Sequence, residues 1–402
     1  MTIPDPASTT QRDDARMPRP LRVARVAVTG AYAAQALGYA VLVTSLPAIQ
    51  TRQRIDPETI SFIMLGVCFA AALGSVIANA VAVRWGSRAA LALGLIIEAV
   101  ALPVAAVTTP FAVFVAALAV YGVGLGCVDA ASAMQGVTVQ RAYGRPLLGT
   151  FFAGYTGAAI AGGLLVSGVA ASAVGAGVAI VVAAVLILAM ALAGTRLFAR
   201  DVPVDAVLAP AERARLPRAG IWAFGFVILA VFVVDSSVST WSSLYLTGLA
   251  TIAWVAPLGY VVYQVCILLT RLATDRLLPV VGRARLVAVA VVVSVIGCVV
   301  VALVPLAVAA FVGFALAGVA VGVVVPVTFG AAGELSPAHS DQIIARINIF
   351  NYVGVIFGAV ALGLLADGPG LGPAFLIPAV VLAAVLFLLR WFRTRPGAAS
   401  GA

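Results

Sequence analysis

Read from its N-terminus, the chain alternates long runs without charge and short segments that hold arginines. A helix that crosses a bilayer needs roughly 20 mainly apolar residues. Residues 26–51 and 59–83 each supply one such run. Residues 89–128 supply two, interrupted by Glu98 and broken at Thr108-Thr109-Pro110, and the second runs on through Asp129. Residues 146–195 carry no charge and are long enough for two helices, with a break near Ala171 to Gly177. The run 219–270 holds only Asp235 and fits two, turning near Thr247 to Thr251. Residues 286–333 fit two with Pro305 at the turn, and 347–366 and 368–389 give one each. The pattern predicts an all-α integral membrane protein with 12 transmembrane helices.

Composition excludes the alternative of a water-soluble fold. Of 402 residues, 63% are hydrophobic and 10% charged, against about 25% charged in soluble domains, and the mean hydropathy is +1.15. The net charge of +9 comes from 24 basic residues, all Arg, against 15 acidic ones. Because these arginines punctuate apolar runs instead of gathering in one stripe, they point to an anionic membrane surface and not to nucleic acid. Cys68, Cys127, Cys266 and Cys298 all lie inside apolar runs without metal-ligand spacing, as small buried hydrophobes do.

Charge also sets the orientation. An even number of spans puts both termini on one side, and positive residues favour the cytoplasm. With the N-terminus inside, the inner segments hold 22 of the 24 arginines, every one except Arg52 and Arg54. A cleaved signal ending at Ala34-Gln35-Ala36 would leave eleven helices and put the arginine-rich loops outside, so it is rejected. The chain is expected in the cytoplasmic (inner) membrane, with both termini cytoplasmic.

Self-comparison shows a doubled pattern. Gly122-Val123-Gly124-Leu125-Gly126 matches Gly318-Val319-Ala320-Val321-Gly322 at an offset of 196, and Tyr155-Thr156-Gly157 matches Tyr352-Val353-Gly354 at 197. Arg84-Trp85-Gly86-Ser87-Arg88 has its counterpart in Gly282-Arg283-Ala284-Arg285. Two pseudo-symmetric six-helix halves follow, residues 25–195 and 220–392, with a linker at 196–219 and tails at 1–24 and 393–402. Parallel repeats of this kind place a substrate site at their interface near the midplane.

These features resemble the major facilitator superfamily over residues 20–392. The family's motif after helix 2, an acidic residue followed by Arg and by Gly with basic neighbours, is matched in stretched form by Asp275-Arg276 and Gly282-Arg283, while Val83 stands at the acidic position in the first half. Gly124-Leu125-Gly126-Cys127-Val128-Asp129 is similar to the fucose permease branch, and that resemblance implies a proton-coupling carboxylate at Asp129. The branch's helix-1 acid would fall at Val43 and is missing. The segment Asp235 to Tyr245, with Trp241-Ser242-Ser243-Leu244-Tyr245, and Leu46-Pro47-Ala48-Ile49 resemble further members of the same branch. The resemblance also implies a cytoplasmic gate of Arg84, Arg88, Asp275, Arg276 and Arg346, with Asp275 docking near the start of helix 11.

Ionisable groups within a span are costly and are functional candidates by default. Glu98 lies midway along helix 3, Asp129 in the cytoplasmic half of helix 4 and Asp235 near the middle of helix 7, and the runs as delimited contain no Arg or Lys to pair with them. A carboxyl without a cationic partner suits a group that gains and loses a proton as its cavity opens to either side. The plainer reading is a neutral carboxyl bonded to a neighbouring helix, worth about 0.6 kcal/mol. Glu334, beside Ser336-Pro337, reads as a solvated loop residue, and His339 as part of the loop between helices 10 and 11.

The uncharged candidates for substrate binding are Tyr32, Gln35 and Tyr39 on helix 1, Gln264 on helix 8, and Asn348 and Asn351 on helix 11. The first three share a helical face by their spacing. Trp241 and Tyr245 are candidate ring platforms, whereas Trp222 and Trp391 fit an interfacial belt. Pairs of small residues four apart, Gly122 with Gly126 and Gly157 with Ala161, read as helix-packing contacts. No nucleotide-binding loop, zincin pair or nucleophile elbow is present, so an enzyme has no support in the sequence. The expected function is proton-coupled symport of a small neutral polar, sugar-like solute by a monomer, in contact with membrane lipids, with no cofactor and no metal. An exporter of lipophilic cations and a non-transporting sensor are the alternatives. An anionic substrate is disfavoured because no cation lines the runs.

Overall fold

The computed structural model describes residues 17–144, 147–170, 175–199, 217–250, 252–336, 340–366, 368 and 370–392. Among them no strand occurs, and twelve helices are long and apolar enough to cross a membrane. They are α1 (Arg19–Thr44), α2 (Pro57–Trp85), α3 (Ser87–Val107), α4 (Phe111–Tyr143), α5 (Leu148–Ala170) and α6 (Gly175–Leu197), then α7 (Arg218–Leu249), α8 (Leu258–Val281), α9 (Arg283–Leu303), α10 (Ala307–Gly333), α11 (Ser340–Ala366) and α12 (Leu371–Phe392). Their number and order match the expected spans.

Some boundaries differ. The first apolar run is divided at Ser45, where the chain leaves α1 and starts a short helix, Leu46–Gln53. Pro47 sits in its first turn, the one place where a missing N–H costs little. That helix ends at Arg54 in the left-handed region, φ 54°. Asp56 then caps α2, its Oδ1 accepting the Thr59 N–H at 2.7 Å. The Thr59 side chain, and after it this amide, hold the Asp56 carboxyl below its ordinary range. His339 lies outside the described residues.

The chain forms two compact units. The first holds residues 1–39, 66–162 and 177–207. Within it, helices meet through glycine. A Cβ on Gly122 or Gly126 of α4 would collide with the carbonyls of Val67 and Ala71 of α2, and one on Gly124 would collide with Glu98 of α3. The pair Gly157 and Ala161 behaves differently, because Gly157 has nothing within 4 Å of where a side chain would begin. Both residues are exposed, so this pair does not pack helices as the sequence suggested.

The second unit holds residues 40–65, 163–176 and 208–402. Here Gly318 and Gly322 of α10 press on the carbonyls of Tyr263 and Ile267 of α8. Each of the four residues stands 196 positions after its counterpart in the first unit, so the doubled sequence corresponds to a doubled helix contact. Helix α7 is buried along most of its length. It is held to α11 by Ser236 Oγ donating to the Val355 carbonyl at 2.7 Å and by the Trp241 indole donating to that of Ala359 at 3.0 Å. The unit also takes in chain from the first half. Ser61 of α2 lies against Gly363 of α11 beside the Trp241 ring, and Ser167 of α5 donates to the Trp254 carbonyl at 2.7 Å.

Candidate functional site

In the first unit, the polar face of α1 meets the intramembrane acids. Gln35 is almost fully buried and its Nε2 donates to Asp129 Oδ1 at 2.6 Å. Asp129 itself is exposed on α4, so its carboxyl is both hydrogen-bonded and accessible. One turn below Gln35, Tyr32 stacks on Phe151 of α5 with centroids 5.6 Å apart, and Phe152 meets it edge-on. Tyr39 is half-buried one turn above. Glu98 is 0% exposed, and neither of its oxygens has a hydrogen-bond partner. It lies between Gly124 of α4 and Gly38 of α1, where a Cβ would come within 4.0 Å of Oε2.

The second unit contains a second polar cluster. Tyr263 Oη donates to Asp235 Oδ1 at 2.7 Å, and Gln264 Nε2 donates to Tyr260 Oη at 2.8 Å. Both tyrosines are fully buried. Arg271 belongs here as well, because α8 continues to Val281 and the span Ala253–Thr274 contains it. It interacts electrostatically with Asp235. The absence of a spanning cation, which the apolar runs suggested, therefore does not hold, and with it falls the argument against an anionic group on the substrate.

Trp241 is 0% exposed, its indole N–H bonded to α11. The Tyr245 hydroxyl donates to the Val301 carbonyl at 2.9 Å, and its ring packs on Phe314 and Phe375. Asn348 and Asn351 are half-buried and within 3.5 Å of each other on α11.

Toward the arginine-rich ends, Arg88 donates to the carbonyls of Thr195 at 3.1 Å and Phe198 at 2.6 Å. Gln135 adds a bond to that of Ala199 at 3.1 Å. These donors meet the Thr195 carbonyl in the last turn of α6 and those of Phe198 and Ala199 just after it, where a positive charge also meets the negative end of the helix dipole. Arg84, exposed, lies 5.1 Å from the ring of its neighbour Trp85. Arg276 and Arg346 are exposed, and the side chain of Asp275 is outside the described ones. Glu334 is exposed as expected, but its carboxylate is paired with Arg283 at 2.5 Å, and that guanidinium holds it below the usual carboxylate range.

Sequence reasoning missed Tyr260, Tyr263 and Arg271. The only available signal was spacing: Tyr260, Gln264 and Arg271 fall four and seven residues apart, on one face of α8.

A family model described as Major Facilitator Superfamily matches residues 28–312 and 247–402. An uncharacterised MFS-type transporter of Yersinia pestis is 27% identical over 352 residues, 87% of this chain and 90% of that protein. Among solved structures, a D-xylose-proton symporter superposes with a TM-score of 0.68 at 15% identity, covering 92% of this chain and 98% of its own. FucP, a transporter of the same superfamily in an outward conformation, gives 0.62 at 17% identity, covering 94% and 100%. At such identities these structures establish the fold.

Proposed function

The chain belongs to the Major Facilitator Superfamily, and on that premise we propose that this membrane transporter couples proton movement to the passage of a small neutral polar, sugar-like solute by alternating access. The observation that carries the proposal is the bond from Gln35 to Asp129, which joins the polar face of α1 to an accessible carboxyl in the same unit. A charged carboxylate is costly to carry through a dry, occluded state unless it is neutralised. Asp129 therefore crosses as the protonated acid, or with a ligand that compensates its charge. Tyr32, Gln35 and Tyr39 are hydroxyl and amide groups of the kind that hold a polyol by hydrogen bonds. In the other unit Asp235 and Arg271 offset each other, which favours a solute without net charge, with Gln264, Asn348 and Asn351 as further ligands. Trp241 and Tyr245 then act by fixing the position of α7, since their polar atoms are bonded to neighbouring helices.

In this reading the protein is a monomeric symporter of the inner membrane with both termini cytoplasmic, its halves at 25–195 and 220–392 joined by 196–219. Arg84, Arg88, Asp275, Arg276 and Arg346 form the cytoplasmic gate, Arg88 being also bonded to the end of α6. Glu98 and Asp235 are the remaining carboxyls available for coupling.

Uptake and efflux of a panel of neutral sugars and nucleosides, measured in vesicles under an imposed pH gradient, test the proposal. At least one neutral solute should accumulate when the outside is acid. Movement of organic cations alone, outward against their gradient, would replace the proposal with the exporter reading.

A further inference from the structure

On the second unit, the first turns of α7 and the last turns of α12 leave an open groove of about 390 Å³ between them. Its walls are apolar. Trp222 of α7 is 67% exposed and Phe387 of α12 is 85% exposed, with Phe226 deeper between the two helices. The two indoles at its sides are held by other rings, Trp222 edge-on to Phe350 at 5.2 Å and Trp391 edge-on to Phe224 at 6.4 Å. A groove fixed by such packing keeps its shape when empty, which lowers the cost of filling it.

One end of this apolar surface is cationic. Arg390 is exposed and lines the groove, and Arg218, also exposed, opens α7 next to the lining residue Ala219. Apolar walls that end in tryptophans and a guanidinium match the order of groups in a phospholipid, from acyl chain through the interface to phosphate. A zwitterionic lipid would satisfy the walls equally well and also carries a phosphate, but its choline or amine cancels the charge that the guanidinium meets. The charge complementarity singles out an anionic headgroup.

We propose that this groove binds one anionic phospholipid, an acyl chain lying on Phe226 and Phe387 and the headgroup phosphate held by Arg390. The lipid comes from the inner leaflet, a placement that rests on the cytoplasmic orientation given above. Bound there, it would join the end of the C-terminal span to the start of α7, the helix on which Asp235 stands.

The full-length protein purified in detergent, titrated with phosphatidylglycerol or phosphatidylcholine and read by native mass spectrometry, tests this. One basic residue near a headgroup is worth roughly 1 kcal/mol, so the first phosphatidylglycerol should bind about fivefold more tightly than the first phosphatidylcholine. Arg390→Gln should remove that preference, weakening phosphatidylglycerol more than phosphatidylcholine. Ala219→Leu, at the exposed edge of the groove, should weaken both lipids. Arg285→Gln, an exposed arginine at the start of α9, should leave the preference intact. Equal binding of the two lipids by the unmodified chain, a preference that survives Arg390→Gln, or an equal loss in Arg285→Gln would overturn the proposal. Because the readout is made in detergent, an inverted orientation of the chain would not alter it and would appear instead in fusions to the termini.

Discussion

Glu98 presents a buried carboxyl with neither oxygen hydrogen-bonded, whereas Ser294, 196 residues later, accepts from the Ala320 amide and donates to the Leu316 carbonyl. The repeat thus keeps a polar side chain at one place in each half but supplies partners in only one. A buried polar group without partners costs roughly 1–3 kcal/mol. Glu98→Leu is therefore expected to raise the thermal midpoint of the purified protein, and a lower midpoint would show that a bonded partner holds the carboxyl. Asp56 illustrates the opposite case. Its bonds to the Thr59 side chain and then to the Thr59 amide lower the folded-state value, so the stabilisation is present above the ordinary carboxylate range and lost as pH falls through the folded value. Melting of Asp56→Ala and the parent chain should differ near neutrality and converge in acid; a gap independent of pH would contradict the cap. The acids themselves were legible, because a charge inside an apolar run stands out. Their partners were not: the pairing of Gln35 with Asp129 spans 94 positions and depends on how α1 crosses α4.

At the scale of helices, the legible signal was glycine spacing, since a backbone approaches a backbone only where no side chain intervenes. Gly126 stands over the Ala71 carbonyl and Gly157 over open space, although both belonged to pairs four residues apart. Spacing gives the face of a helix but not what that face meets. Gly126→Ala should destabilise by about 1–3 kcal/mol through overpacking. Gly157→Ala should be neutral or gain up to about 1 kcal/mol from helix propensity. Thermal melting of the two variants side by side checks this, and equal losses would count against the glycine contact. Helix ends were harder to read than helix centres. Charged residues do not end a helix: Arg22 and Arg25 extend α1 ahead of its apolar run, and α8 continues for ten residues past Arg271, where its apolar run stops.

For the whole molecule, the number of spans and the family were legible because the bilayer demands long apolar runs and the arginines separate them. The same arginines carry the proposed orientation, with both termini cytoplasmic. Reporter fusions are expected to place the C-terminus inside and residues 50–58 outside, and a periplasmic C-terminus would contradict the twelve-span orientation. The coupling itself is tested most directly by transport of a solute identified in the panel, in proteoliposomes holding either the parent chain or Asp129→Asn, with and without a pH gradient. Asparagine keeps the shape and the hydrogen-bonding capacity of the side chain but cannot titrate. Asp129→Asn should exchange solute across the membrane but no longer accumulate it when the outside is acid. Accumulation by Asp129→Asn in response to the pH gradient would contradict this coupling.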